Sequence, residues 1–173
     1  MGLRGAKARF VPNCLVFPGG AVDKEDAAAP AEAEPRPEVL AQVARGARPR
    51  LARALLMAAA RELDEETSLH FGRPPRLDGM DYLCRAVTPP TASIRFNARF
   101  FVAPADAVSG SLAGSGELEN LRYIPVQHAL TLDLMLVTRE VLQRLLAWLA
   151  LTGDARRERA AMDVFRHRNW ERE

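Results

Sequence analysis

Apolar residues recur at helical spacing along one long segment of the chain, residues 49–69. The side of this segment predicted to be buried carries Leu51, Leu55, Ala58 and Leu63. A stripe with this period predicts an amphipathic helix packed on a core. A shorter helix is expected just before it, over residues 38–44, because Pro37 suits the first turn of a helix and Gly46 suits its end.

A second apolar stripe, late in the chain, predicts another helix. Thr138 is expected to cap this helix and Gly153 to end it. The stripe consists of Leu142, Leu145, Leu146 and Leu149. The tail that follows, residues 155–173, is rich in arginine and is expected to dock through Val164, Phe165 and Trp170.

Short apolar runs bounded by turn residues predict four strands. They cover residues 9–17, 82–87, 94–102 and 121–126. Helices and strands do not alternate strictly along the chain, which favours a mixed sheet lying between helices. The prediction is a single α/β domain over residues 1–173, long enough for one hydrophobic core.

Composition and charge exclude several classes of protein. Lys and Arg total 24 and Asp and Glu total 22, so the net charge of +2 gives no reason to expect a nucleic-acid partner. Cys14 and Cys84 sit in apolar stretches without metal-ligand spacing, which predicts buried free thiols in a reducing compartment. With no long apolar run or secretory leader in this sequence, a cytoplasmic protein without membrane association is expected.

The most informative residues are three glutamates near the end of the long helix. Glu62, Glu65 and Glu66 lie at positions i, i+3 and i+4, which places their Cβ atoms roughly 5–6 Å apart on one face. Carboxylates this close repel each other unless a positive group lies between them. Hard divalent cations such as Mg²⁺ prefer oxygen ligands, so this face is interpreted as half of a metal site.

A glycine pair ends an early apolar run and supplies the second half of the candidate site. The run Cys14 to Phe17 leads into Pro18, Gly19 and Gly20. Paired glycines allow positive φ angles and let the backbone approach a ligand closely.

Together, the glycine pair and the acidic helix resemble the Nudix box, G-x5-E-x7-R-E-U-x-E-E-x-G-U, where U is a bulky aliphatic residue. Gly20 matches its first position. The second half of the box is matched by Arg61, Glu62, Leu63, Glu65, Glu66 and Leu69. The resemblance to the Nudix hydrolases implies an α/β/α sandwich with a mixed sheet and a metal-dependent hydrolase of phosphoanhydrides.

The chain departs from the box at three points. Gly20 and Arg61 are 41 positions apart where the box has 14, so an insertion, residues 21–50, interrupts it. Asp26 stands where the box has its first glutamate, and Ser68 stands where it has its last glycine. Such an insertion resembles the coenzyme A diphosphatase-like branch of the superfamily. The segments 88–90 and 95–101 are also similar to that branch.

The resemblance assigns roles to residues of the box. Glu62, Glu65, Glu66 and the carbonyl of Gly19 would bind Mg²⁺ or Mn²⁺, and Glu65 or Glu66 would act in catalysis. Arg61 would orient the catalytic carboxylates and pair with an acid that follows the glycines. Asp26 is the first candidate for that acid, with Glu25 as the alternative, and Gly20 would lie behind the ligands.

Further site residues are expected outside the box. A later loop, rich in glycine, carries Glu117 and Glu119, and the spacing of Glu117 from Tyr123 favours it as the additional catalytic carboxylate by resemblance. Arg95, Phe96 and Arg99 lie on or beside one predicted strand. Arginine binds phosphate through a two-pronged contact and an aromatic ring can stack on a base, so these three are predicted to bind substrate.

The resulting hypothesis is a hydrolase of a nucleoside diphosphate linked to another moiety, with coenzyme A or an acyl-CoA favoured. ADP-ribose and dinucleotides are alternatives. A catalytically silent Nudix fold that binds a nucleotide or a protein is the rival hypothesis.

Residues 1–4 resemble the end of a strand that precedes the glycine pair in Nudix proteins, which suggests that the first strand itself is lacking. An uncovered sheet edge would favour pairing with a second copy of the chain. We therefore expect a homodimer, and light scattering that shows a monomer at tens of micromolar protein would contradict this.

Overall fold

Two β-sheets organise the structure, a computed structural model that describes residues 1–5, 11–91, 94–159 and 161–173. The smaller sheet is antiparallel and has the order β2-β1-β5. Its strands are β1 (Gly2–Arg4), β2 (Leu15–Val16) and β5 (Leu118–Glu119). Each strand is short, so this sheet serves mainly to hold the ends of loops together.

The larger sheet is mixed, with the order β4-β3-β6-β7. Its strands are β3 (Asp81–Val87), β4 (Asn97–Val102), β6 (Asp163–Arg166) and β7 (Asn169–Arg172). Strands β3 and β6 run parallel, and the other two pairs are antiparallel. This arrangement confirms the predicted mixed sheet.

Helices cover both faces of the larger sheet. They are α1 (Pro37–Ala44), α2 (Pro49–Thr67), α3 (Val126–Ala129), α4 (Leu136–Leu149) and α5 (Gly153–Arg157). Val39 of α1 and Leu56 of α2 share one buried cluster with Tyr82 of β3. Val141 and Trp148 of α4 form a second cluster on the other side. The fold is therefore an α/β/α sandwich.

A β-bulge in β3 distributes its side chains between the two clusters. Tyr82 pairs with Phe101 and Cys84 pairs with Phe100, so Leu83 is an extra residue in the ladder. Leu83 and Cys84 both join the cluster around α4, whereas Tyr82 faces α1 and α2. Arg159 donates hydrogen bonds to the carbonyls of Tyr82 and Leu83, which satisfies acceptors near the bulge.

The insertion, residues 21–50, is part of the core. Helix α1 forms within it, and Val39 and Val43 are each 1% exposed. Gln42 donates hydrogen bonds to the carbonyls of Arg156 and Arg157 near the end of α5. The insertion therefore contributes structure that the rest of the domain packs against.

The strand predicted over residues 121–126 is wrong. The ladder of β5 stops because Asn120 adopts a left-handed conformation with φ of 51°. Arg122 still exchanges two backbone hydrogen bonds with Met1, both 3.0 Å. Pro125 then has no N–H to continue a ladder, and Val126 begins α3.

Other predicted boundaries shift by a few residues. The strand predicted over residues 94–102 begins at Asn97. Of residues 9–17, only Leu15–Val16 is a strand, and residues 9 and 10 lie outside the described residues. Thr138 is buried inside α4 and does not cap it, because the helix already begins at Leu136. Gly153 begins α5 after Thr152, whose side chain accepts a hydrogen bond from the amide of Ala155.

The segment expected to be the end of a strand is a strand. Residues Gly2–Arg4 form β1, which is hydrogen-bonded to β2 on one side and to β5 on the other. The uncovered edge on which the dimer hypothesis rested is therefore not found at this strand.

None of the described helices is both long enough and apolar enough to cross a bilayer.

The tail docks where the sequence predicts. Val164 and Phe165 are buried in β6, and Trp170 stacks on Phe165 with ring centroids 5.2 Å apart. Arg144 of α4 lies 4.3 Å from the centre of the Trp170 ring. This packing ties the tail to the second helical layer.

The two cysteines are both free but differ in environment. Cys84 is buried, and desolvation raises its pKa to about 12, whereas Cys14 is only half-buried and lines a surface cavity. Only a thiolate reacts readily with thiol reagents. At pH 8 we expect a thiol reagent to modify one cysteine rapidly in the native protein and the second only after unfolding. The measurement is the absorbance of the chromophore that the reagent releases. A fast phase that persists in Cys14→Ser would contradict this assignment.

Candidate active site

The acidic residues of the candidate site lie in the last two turns of α2. The helix begins with Pro49 at its first position and is rich in alanine and leucine, both good helix formers. Ser68 ends it in a left-handed conformation with φ of 60°, and its amide bonds to the carbonyl of Asp64. Serine thus adopts here the conformation for which glycine is usually selected.

The glycine pair packs directly against two of the three glutamates. The amide of Gly19 donates a hydrogen bond of 2.7 Å to Oε2 of Glu66, and Gly19 has a φ of 149°. A Cβ atom at Gly20 would lie only 2.3–2.6 Å from the carboxylate of Glu62. A larger residue at position 20 would therefore displace the carboxylate of Glu62 from its present position. The structure describes an amide contact for Gly19, and the ligand role of its carbonyl stays a prediction.

Arg61 lies at the centre of the acidic cluster. Its guanidinium contacts both carboxylate oxygens of Asp26, at 3.1 and 3.2 Å. It also donates to Glu62 at 2.8 Å, to Glu65 at 3.0 Å and to the carbonyl of Ala21 at 2.9 Å. The hydrogen bonds to Asp26 make the largest contribution to raising the pKa of Arg61, and the hydrogen bond to Glu62 raises it further. Arg61 thus links the insertion to the glutamates of α2.

Asp26 is the acid that pairs with Arg61. It is 2% exposed, whereas the neighbouring Glu25 is exposed. The amide of Asp23 donates a hydrogen bond of 2.7 Å to Oδ2 of Asp26. The insertion does not displace this acid, because the chain turns back in a short 3₁₀ helix, Glu25–Ala27, that contacts α2.

Glu66 has the most buried carboxylate of the three glutamates, with the residue 6% exposed. Desolvation raises the pKa of Glu66, and the negative charges of Glu62 and Glu117 raise it further. The hydrogen bond from Gly19 acts in the opposite direction and lowers it. Glu117, not Glu119, is therefore the loop acid electrostatically coupled to Glu66. Glu119 lies on β5 and faces Gly5 instead.

Arg4 is a basic residue that the sequence patterns did not assign to the site. It lies on β1, where it pairs with Leu118, and its positive charge acts on Glu66 to lower the pKa of that carboxylate. The only sequence signal was its place at the end of the segment that resembles the first strand. Asp23, 3.6 Å from Arg61, was also missed.

The donor chemistry of this site fits a hard divalent cation. Three carboxylates lie on one helix face, the glycine pair lies against two of them, and Glu66 is buried with negatively charged Glu62 and Glu117 acting on it. The arrangement is nevertheless not a preformed cage. Among the described residues, no group of three Asp, Glu, His or Cys side chains is arranged to hold a metal ion. Glu65, whose side chain is 59% exposed, is bonded to Arg61.

The predicted substrate-binding residues lie on β4 and in the segment just before it. Arg99, on β4, donates hydrogen bonds to the carbonyls of Gly46 and Asn97. Arg95 and Phe96 precede β4 and are exposed. No hydrogen bond or ion pair described for Arg95 or Arg99 joins them to the glutamates of α2, and the role of these residues in binding substrate stays a prediction.

Two cavities open among the described residues. One, of about 420 Å³, opens beside β1 and β2 and is lined mainly by Leu3, Leu15, Arg122, Asp133 and Met135. The other, of about 320 Å³, lies between the insertion and the loop after α2, with Asp26 and Arg61 in its wall. The first has a size and a mixed apolar and polar lining suited to a small molecule.

Comparison with known proteins identifies the fold. No protein-family model matches the sequence, and no curated protein matches it. Among solved structures, a crystal structure of a NUDIX hydrolase from Alicyclobacillus acidocaldarius matches with a TM-score of 0.59 and 24% sequence identity. The match covers 84% of this chain and 82% of that chain. The protein therefore has the Nudix fold.

The contact between Asp26 and Arg61 generates a prediction about stability. Asp26→Asn removes the charge but keeps the shape, leaving Arg61 without its main partner. We expect the free energy of unfolding to fall by about 1–3 kcal/mol, as measured by urea unfolding. The matched control is Glu25→Gln, which changes an exposed carboxylate in the same turn and should alter stability by less than about 0.5 kcal/mol. Equal effects of the two substitutions would contradict the role given to Asp26.

Proposed function

We propose that the protein is a metal-dependent hydrolase that cleaves a phosphoanhydride bond in a nucleoside diphosphate linked to another moiety. The observation that carries the proposal is the seating of the Gly19–Gly20 loop on Glu62 and Glu66. This contact places a glycine turn against the carboxylates of Glu62 and Glu66, and it occurs in a chain with the Nudix fold.

Glu62, Glu65 and Glu66 would hold Mg²⁺ or Mn²⁺, together with the carbonyl of Gly19. A divalent cation bound there would neutralise phosphate oxygens and lower the pKa of an attacking water. For this reaction, positioning and charge stabilisation do most of the catalysis.

The protein's own residues would position the reactants. Arg61 would orient Glu62 and Glu65, with Asp26 and Gly20 supporting it from behind. Glu117 extends from a loop that contains Gly114 and Gly116, and its electrostatic coupling to Glu66 supports a role in handling the proton of the attacking water. Loop mobility would suit a residue that must approach only when substrate is bound.

Coenzyme A or an acyl-CoA is the favoured substrate, on the resemblance of the interrupted box to the coenzyme A diphosphatase-like branch. ADP-ribose and dinucleotides are the alternatives. The cavity of about 420 Å³ has Leu15 of β2 in its wall, and β2 leads along the chain into Phe17 and the glycines, so we propose this cavity as the site for an organic group of the substrate. Arg95, Phe96 and Arg99 are retained as proposed contacts for a distal part of a long substrate.

A catalytically silent binding module is the second candidate. One observation favours it: Arg61 already neutralises Glu62 and Glu65, so the carboxylates are not gathered for a metal. In such a protein, a nucleotide or protein partner would bind without being hydrolysed. A cytoplasmic location and a homodimer remain expectations from the sequence.

A hydrolysis screen tests the proposed function. The wild type is assayed with Mn²⁺ or Mg²⁺ against CoA, ADP-ribose, diadenosine polyphosphates and NADH, and products are separated by chromatography. We expect turnover of one substrate class, lowered by about 100-fold or more in Glu65→Gln. Mn²⁺ should also raise the melting temperature, because a ligand that binds the native state stabilises it by mass action.

Two loop variants, one test and one control, form a matched pair in the same assay. Glu117→Gln should lower turnover, whereas Glu119→Gln changes a nearby exposed carboxylate and should leave it unchanged. Nucleotide binding by the wild type without turnover of any substrate would favour the silent module. Turnover that is the same in Glu65→Gln would contradict the assignment of the site.

A further inference from the structure

The turn that carries Asp26 borders a cavity on one side. Asp26, Ala29 and Pro30 form part of the wall of the cavity of about 320 Å³ that separates the insertion from the loop after α2. A segment beside an open cavity forgoes the packing contacts that would otherwise fix its position. Polar contacts made by neighbouring elements therefore contribute to the placement of Asp26.

Arg53 supplies those polar contacts from α2. Its guanidinium donates to the carbonyl of Ala29 at 2.9 Å and to the carbonyls of Asp26 and Ala27, each at 3.4 Å. These acceptors lie in and just after the 3₁₀ turn. The same guanidinium thus contacts the backbone of the residue whose carboxylate binds Arg61.

Glu34, later in the insertion, holds Arg53 in place. Both carboxylate oxygens of Glu34 contact Arg53, through Nε and Nη2, each at 2.8 Å. A bidentate pair of this kind fixes the plane of the guanidinium as well as its distance. The hydrogen bond to Glu34 also raises the pKa of Arg53.

Arg53 and Arg61 are eight residues apart on α2, which is slightly more than two helical turns and puts them on neighbouring parts of one face. Arg53 contacts the carbonyls of the turn, while Arg61 contacts the carboxylate of Asp26. The helix therefore holds the turn at two points, and Arg61 also contacts Glu62 and Glu65.

We propose that Arg53, held by Glu34, is a positioning residue that sets Asp26 against Arg61 and thereby sets the orientation of Glu62 and Glu65. The inference rests on the proposed function for its consequence in metal binding. It also gives the insertion a specific structural role, because residues 26–34 contact both Arg53 in the first half of α2 and Arg61 in its acidic second half.

The guanidinium group is required for this role. Arg53 uses Nε, Nη1 and Nη2 for a carboxylate and three carbonyls, in directions set by one plane. A lysine has a single ammonium group and cannot span these acceptors. Arg53→Lys is therefore expected to behave more like Arg53→Ala than like the wild type.

Nuclear magnetic resonance of the Arg61 side chain tests the positioning without any metal. The Nε–H of Arg61 donates to Asp26, so its hydrogen exchange with water reports on that contact. We expect exchange to accelerate by about tenfold or more in Arg53→Ala and Arg53→Lys. Glu34→Gln, which leaves Arg53 in place, should give a smaller increase and serves if Arg53→Ala does not fold.

Arg76→Ala is the matched control. Arg76 also ties the insertion to the domain, through Glu32 at 3.0 Å, but no described contact joins it to the Asp26 turn. Its substitution should leave exchange of the Arg61 Nε–H within about twofold of the wild type. Equal acceleration in Arg76→Ala and Arg53→Ala would overturn the proposal, since it would indicate general loosening of the insertion.

Calorimetric titration with Mn²⁺ tests the consequence for the carboxylates. We expect the dissociation constant to rise about tenfold in Arg53→Ala, in the range seen when outer-shell partners of metal ligands are removed, and to stay unchanged in Arg76→Ala. Accelerated Arg61 exchange with unchanged Mn²⁺ affinity would overturn the proposed effect on Glu62 and Glu65. A wild type that binds no Mn²⁺ and hydrolyses nothing would contradict the proposed function, while the Arg61 signal would still decide whether Arg53 positions Asp26.

Discussion

Asp26 is almost fully buried, and Arg61 meets both oxygens of its carboxylate. Burying an unpaired carboxylate is strongly unfavourable, so the burial of Asp26 depends on Arg61. The same guanidinium binds Glu62 and Glu65 and the carbonyl of Ala21. One side chain therefore ties the insertion to the acidic helix.

Around this contact, the fold brings two kinds of support to the acidic end of α2. The glycine loop approaches from β2, where the absence of a side chain at Gly20 permits contact with Glu62. The insertion supplies Asp26 to Arg61 and contributes α1 to the core, with Val39 and Val43 buried. An insertion within the motif is tolerated here because it returns the chain to the same helix. The site is thus assembled from segments that are distant in sequence.

The electrostatics of the site combine paired and unpaired charge. The negative charges of Glu62 and Glu65 are compensated by Arg61. The negative charge of the buried Glu66 is instead stabilised by the amide of Gly19 and by the positive charge of Arg4. Coupling to Glu62 and Glu117 leaves this region with excess negative charge. A divalent cation would relieve that excess, which is the physical basis for the proposed metal dependence. The competition between Arg61 and a metal for Glu62 and Glu65 is the feature that separates the two candidate functions.

The sequence by itself determined the helix that carries Glu62, Glu65 and Glu66, because helical period and residue spacing are local properties. It also indicated the glycine pair and the mixed sheet, and it ranked Asp26 above Glu25. Tertiary structure decided the rest. The left-handed Asn120 ended the ladder of β5, and Pro125, which has no N–H, did not let the predicted strand resume. Only the folded chain showed that Arg4 and Arg53 approach the site and that Arg99 contacts Gly46, because such contacts depend on how distant segments meet.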